Sequence, residues 1–328
     1  MKNYQQTILC LLLAAVLVLA LAACGGKQEP AVPDGGVTVA GDSIDIDNLA
    51  LRPDGEAGLL YENDGLKLLI PLEYDERLIT ETPENDERGV LFTVSEKASV
   101  EAAKAQSENY DGAGRLFSIG RIDEAALREM LCYDRSGAEI FARGGDGSYY
   151  VFYHPTDVRY FREDNEAMAR DQEQWTELTG WAWDSVRSTF LAENDGLTAV
   201  EYADNLATEL LARAAYQPDA VYTVSTLEFG PLEPAGVDPA PYVERLICNA
   251  VFESIDPDSI PGGEYVVLSY PEEDFRVDFL LIKEANYVRV VQPEFETLYK
   301  VTYPDETIHV GDVMEEWYHA LAEQNQRG

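Results

Sequence analysis

Between Leu59 and Ile122, short apolar runs alternate with breaks rich in glycine and aspartate, and their periods separate strands from helices. Leu59 to Tyr61 and Leu66 to Ile70 flank Asn63-Asp64-Gly65, where an Asp-Gly pair supplies the positive φ of a tight hairpin turn. Further strands are expected at Leu78 to Thr82, Val90 to Ser95 and Arg115 to Ile122, with strong helix formers over Lys97 to Ser107. Asp123 stands as the N-cap of a helix through Cys132. Ala138 to Ala142 and Ser148 to His154 then flank the glycine-rich 144–147 turn. A long helix over Asn165 to Leu191 sets Met168, Trp175, Leu178, Ala182, Val186 and Phe190 on one face, leaving Trp181 and Trp183 off that stripe. An exposed tryptophan marks either a binding surface or a ring tucked against a neighbouring domain.

Beyond Glu193 the pattern changes. Thr198-Ala199-Val200-Glu201 reads as a capping box opening a helix to Tyr216, which Pro218 stops. A strand over Ala220 to Phe229 and a short helical turn at Tyr242 to Leu246 follow. Alternating runs then recur at Asn249 to Ile255, Glu264 to Tyr270, Phe275 to Ile282, Tyr287 to Gln292 and Thr297 to Tyr303. Their linkers are hairpin-sized, so the strands form an antiparallel meander, covered by a final helix over Val310 to Gln324. The fold class expected is α+β: two domains, each a mostly antiparallel sheet packed by helices. Hairpin linkers cannot cross over a sheet, so neither a deep solute-binding cleft nor a buried polar site is expected.

The first apolar run, Ile8 to Leu21, follows Lys2 and falls short of the roughly 20 residues a membrane-spanning helix needs. Charged, then apolar, then small is the order of a secretory signal. It ends in Leu21-Ala22-Ala23-Cys24, which resembles the lipobox of bacterial lipoproteins. That resemblance implies cleavage after Ala23 and a diacylglyceryl group on Cys24, hence a protein held by its lipid on the outer, extracytoplasmic face of the cell membrane. The organisation expected is a signal peptide over 1–23, a flexible tether over 24–57, and domains at 58–192 and 193–328. A tether of that length reaches roughly 30 Å. Its apolar interruptions at Val37 to Val39 and Ile44 to Ile46 are alternatively a short added strand.

Composition narrows the partners. There are 61 acidic residues against 24 lysines and arginines, a formal charge of −37, so nucleic acid and anionic headgroups are repelled. The acidity serves solubility, or alternatively the capture of cations or basic ligands; Asp45 and Asp47 alternate like calcium ligands, but Leu49 breaks the register. No metal and no cofactor is expected. Of four cysteines, Cys10 lies in the signal and Cys24 carries the lipid, leaving Cys132 and Cys248 as two separate buried thiols.

Gly65 to Pro71, Gly89-Val90-Leu91-Phe92, Leu116 to Gly120, His154 to Tyr160 and the helix ending Val186-Arg187-Ser188-Thr189-Phe190 together resemble the PsbP-type α/β/α sandwich of uncharacterised bacterial lipoproteins. The resemblance covers 58–191, its motifs are structural, and it implies a scaffold or adaptor role.

Chemistry is sparse. No Gly-x-Ser-x-Gly elbow, Ser-x-x-Lys, His-Glu-x-x-His or phosphate loop occurs. Cys132 ends a helix, where the dipole raises a thiol pKa. No catalytic residue is assigned. His154 and Asp157 form the most distinctive polar cluster, either a small site at a strand end or a strand-terminal histidine beside a turn cap. The function expected is non-catalytic: a lipid-anchored binding or scaffold protein for a protein or cell-wall partner. The alternatives are a solute-binding transport component and a carboxylate-dependent cell-wall or glycan hydrolase.

Overall fold

The computed structural model describes Val37–Val39, Asp42–Ile44, and residues 48–327 except 52–56, 85, 87–88, 107–111, 134, 218–222, 227–231, 233–235, 257, 259–264, 272–275, 283–285 and 292–295. Ala23 and Cys24 lie outside the described residues. Contacts divide the chain into two compact units, Met1–Asp47 and Asn48–Gly328. In the first, β1 (Val37–Val39) and β2 (Asp42–Ile44) pair antiparallel. In the second, β3 (Leu49–Leu51) adds to the edge of β4 (Ala57–Asn63). Three short strands therefore fall inside the segment expected to be a tether.

The fold class is α+β with antiparallel sheets. β4 pairs with β5 (Leu66–Pro71) through the expected turn, where Asp64 and Gly65 hold φ of 50° and 75°. After α1 (Leu72–Asp75) come β6 (Leu78–Glu81), β7 (Val90–Glu96), α2 (Lys97–Gln106), β8 (Arg115–Ile122), α3 (Glu124–Leu131), β9 (Ala138–Gly144), β10 (Tyr149–Tyr153) and α4 (Asn165–Glu193). Asp123 and Asp164 cap α3 and α4, accepting from the amides of Ala126 and Ala167 at 2.8 Å each. Five of these strands join β11 (Leu197–Ala199) in a six-stranded sheet ordered β11-β9-β10-β8-β7-β6.

The capping box expected at Thr198 is replaced by this strand. Thr198 pairs with Arg143, completing the sheet edge on β9. The helix starts later, as α5 (Leu206–Tyr216), because Asn205 is the better cap: its side chain accepts from the Thr208 amide at 2.9 Å. The remaining elements follow the sequence reading closely: β12 (Thr223–Thr226), α6 (Ala240–Ile247), β13 (Val251–Ile255), β14 (Tyr265–Pro271), β15 (Arg276–Ile282), β16 (Tyr287–Val291), β17 (Glu296–Thr302) and α7 (Val310–Arg327). The second sheet runs β12-β14-β15-β16-β17-β13, a four-strand meander with the two earlier strands on its edges.

Strand β10 explains how the layers hold together. Tyr149, Tyr150, Val151 and Phe152 are all buried, so this is a strand with apolar residues on both faces. Tyr150 and Phe152 join the core under α4, with Phe92, Phe117, Leu178, Ala182, Val186 and Phe190. Tyr149 and Val151 join a second core with Leu127 and Leu131 of α3, Leu210 of α5, Val243 of α6, Trp317 of α7, and Leu268 and Val290 of the second sheet. That core spans the join expected at 192/193. The predicted stripe of α4 is the buried one at Leu178, Ala182, Val186 and Phe190. Trp181, expected off the stripe, nonetheless packs on Tyr74 and Phe117 at 5.4 and 5.9 Å between ring centres.

A buried polar site, which the hairpin argument did not foresee, lies beneath the 155–164 segment. The Arg162 guanidinium forks onto Glu96 at 2.8 and 3.0 Å, donates to Asp171 at 3.0 Å and to Ser99 Oγ at 2.9 Å, and the Arg162 and Glu96 side chains are 6% and 3% exposed. It arises because the end of β7 and the first turn of α2 place Glu96 and Ser99 inward, and a carboxylate so placed needs a hydrogen-bonded cation.

Candidate groove beside the first sheet

The largest polar cluster that the fold assembles around a sequence-predicted residue surrounds His154. Gly137 makes it possible: its φ of +83° leads the chain into β9, and its carbonyl accepts from the His154 amide at 2.9 Å. A Cβ at Gly137 would stand 2.7 Å from the His154 carbonyl oxygen, so only glycine lets the two segments approach. His154 then follows β10, facing α4. Its ring meets Trp183 edge to face at 4.6 Å, Nδ1 lies 3.2 Å from the Pro155 carbonyl, and Nε2 lies 3.9 Å from Glu139 Oε1.

Glu139 also accepts from Arg187, one turn beyond Trp183 on α4. The Arg187 guanidinium stands over the rings of Phe152 and Trp183, 5.4 Å from each, and donates to the Trp183 carbonyl at 2.9 Å. Across the groove, Arg135 is buried and donates to the carbonyls of Tyr202 and Ala203 at 3.0 and 2.6 Å, with Asp204 at 3.8 Å. Burial pulls its pKa down, while Asp204 and Tyr202 oppose that shift. These groups, with Glu201 and Val200, line an open groove of about 640 Å³.

His154 is therefore a groove residue, but Asp157 is not its partner. Asp157 pairs with Arg159 at 2.8 Å, and the expected two-residue cluster is replaced by His154 with Glu139 and Trp183. Glu139, Arg187 and Arg135 were missed in the sequence. The Trp183-Arg187 spacing of one helical turn was a usable signal, since residues four apart on a helix share a face. No local pattern marked Glu139 or Arg135, whose partners come from distant parts of the chain.

The thiols lie elsewhere. Cys132 caps the C-terminal end of α3, buried at the floor of a second groove of about 610 Å³ lined by Arg128, Tyr133, Tyr216 and Gln217. Its pKa is pushed up to about 11, chiefly by burial, with Arg213 opposing and Glu209 and Glu129 reinforcing. The rise comes first from desolvation rather than from the helix end that the sequence suggested. Cys248 is half-buried rather than fully buried, and burial raises its pKa despite the Tyr202 hydrogen bond that lowers it. Both thiols are free. Glu244 ties the sheet to α6, accepting from the Tyr149 and Tyr202 hydroxyls at 3.3 and 3.0 Å. No group of three or more potential metal ligands occurs among the described residues.

No family model, curated protein or solved structure matches this chain.

Proposed function

We propose that this chain is a lipid-anchored, extracytoplasmic binding or scaffold protein that holds a cell-envelope partner at the membrane surface without transforming it. The observation that carries the non-catalytic reading is the pairing inside the His154 groove, where Glu139 is engaged by Arg187 and Arg135 by backbone carbonyls. A general acid or base needs a proton-transfer group left available to substrate, and a thiol nucleophile needs a depressed pKa. Both shifts resolved for the thiols run the other way. The membrane address rests on Leu21-Ala22-Ala23-Cys24. Two acyl chains would keep the acidic body at a surface it otherwise avoids.

The test is metabolic labelling with a fatty acid in cells expressing the full chain. The native protein should take up label and sediment with membranes, whereas Cys24→Ala should lose both while keeping its circular dichroism. Label that persists in Cys24→Ala would overturn the anchor.

A further inference from the structure

We infer that the groove between β9, the end of β10 and α4 is a binding site for an uncharged, hydroxyl-rich oligosaccharide, with Trp183 as its stacking platform. The inference rests on the anchored-binding reading above and names the ligand class for it. Trp183 is 44% exposed, one of five large apolar residues so placed among the described residues, and it projects from the 29-residue helix α4. The His154 ring and the Arg187 guanidinium brace it, so little side-chain freedom remains to be lost on binding.

Charge selects among ligands. Three acids and two arginines line the groove, and the close contacts already pair Glu139 with Arg187 and Asp204 with Arg135. An anionic ligand must break one of these pairs to gain a cation of its own. An aliphatic or aromatic peptide face would desolvate Glu201 and Asp204 without returning hydrogen bonds. A hydroxylated ring avoids both costs. Its C–H face covers the indole, its hydroxyls donate to carboxylate lone pairs left over from the ion pairs, and the remaining guanidinium N–H groups donate to its oxygens. An open groove of about 640 Å³ accommodates a few such rings without enclosing them.

The test is calorimetry on the purified full-length protein with three probes: a neutral N-acetylglucosamine tetramer, a uronic-acid tetramer and a phenylalanine-rich tetrapeptide. The neutral tetramer should bind saturably, one to one, with affinity unchanged from about 0.05 to 0.5 M salt because no charge is exchanged. Trp183→Ala should weaken it about tenfold or more, equivalent to about 1.4 kcal/mol. Trp183→Phe should restore part of the loss, and Tyr133→Ala in the second groove should leave binding intact. Circular dichroism of each variant separates loss of site from loss of fold. Tighter binding of the uronate or peptide, neutral binding indifferent to Trp183→Ala, or no binding of any probe would overturn the inference. A Cys24-labelled protein that captures only the peptide would sink this inference and leave the anchored-binding reading standing. Trp183-dependent sugar binding by a chain that takes no lipid would do the reverse.

Discussion

Replacing Arg162 by methionine removes the cation that pairs with Glu96 while keeping most of the side-chain volume. In the native protein the Arg162 guanidinium makes two contacts of 2.8 and 3.0 Å with Glu96 and one of 3.0 Å with Asp171, and stacks 4.5 Å over the Tyr160 ring. Arg162→Met leaves Glu96, 3% exposed, with the Ser99 hydroxyl as its remaining side-chain donor among the described residues. Stranding one partner of a buried pair costs about 3–5 kcal/mol. Glu96→Gln should cost less, because Arg162 keeps Asp171 and the Phe161 carbonyl. The paired variant Arg162→Met with Glu96→Leu should recover much of the loss, since a buried pair exchanged for packed apolar groups is often close to neutral. Urea unfolding followed by tryptophan fluorescence measures all three, and the double-variant cycle isolates the coupling. A cost below about 1 kcal/mol for Arg162→Met, or a double variant no more stable than the single, would refute the reasoning.

Three further outcomes are expected. Cys132 has a folded pKa raised to about 11, so its contribution is fully present below the ordinary thiol value and is lost as pH rises from about 9 through 11; unfolding of Cys132→Ala should vary less over that window. Gly137→Ala must take up a φ of +83° and meet the His154 carbonyl at 2.7 Å; a loss of more than about 1–2 kcal/mol in urea is expected, and unchanged stability would contradict the close approach. Limited proteolysis at the exposed Asp195-Gly196 link should leave the fragments associated under native conditions, because β11 pairs with β9 and the Tyr149 hydroxyl donates to Glu244 at 3.3 Å; a freely migrating 48–195 fragment would argue for independence.

Local pattern made most elements legible. The Asp64-Gly65 turn, the Asp123 cap, the α4 stripe and the alternation of β13 to β17 all depend on residues a few positions apart, where backbone preference and side-chain period decide the outcome. Thr198 failed because two local signals competed. Its capping box was genuine as a motif, but Leu197–Ala199 gains ladder hydrogen bonds on β9, and Asn205 offers a second cap downstream. The groove was legible only at His154 and Trp183. Glu139 meets Arg187 across 48 positions and Arg135 meets Tyr202 across 67, and nothing local records such pairings. The Arg162 site was hidden for the same reason, since Glu96 sits 66 positions away.

The double-sided burial of β10 constrains the order in which the chain matures. When residues up to Leu191 have been synthesised, the face carrying Tyr150 and Phe152 already has its cover in α4. Ile140, Tyr149 and Val151, with Leu127 and Leu131 beside them, have none until α5, α6 and α7 arrive. A nascent chain halted near Glu193 would therefore display an apolar surface on one side of a sheet still missing its β11 edge, the kind of exposure that recruits holdases or drives aggregation. Completion of the last helix, Val310–Arg327, is then the event that closes the molecule.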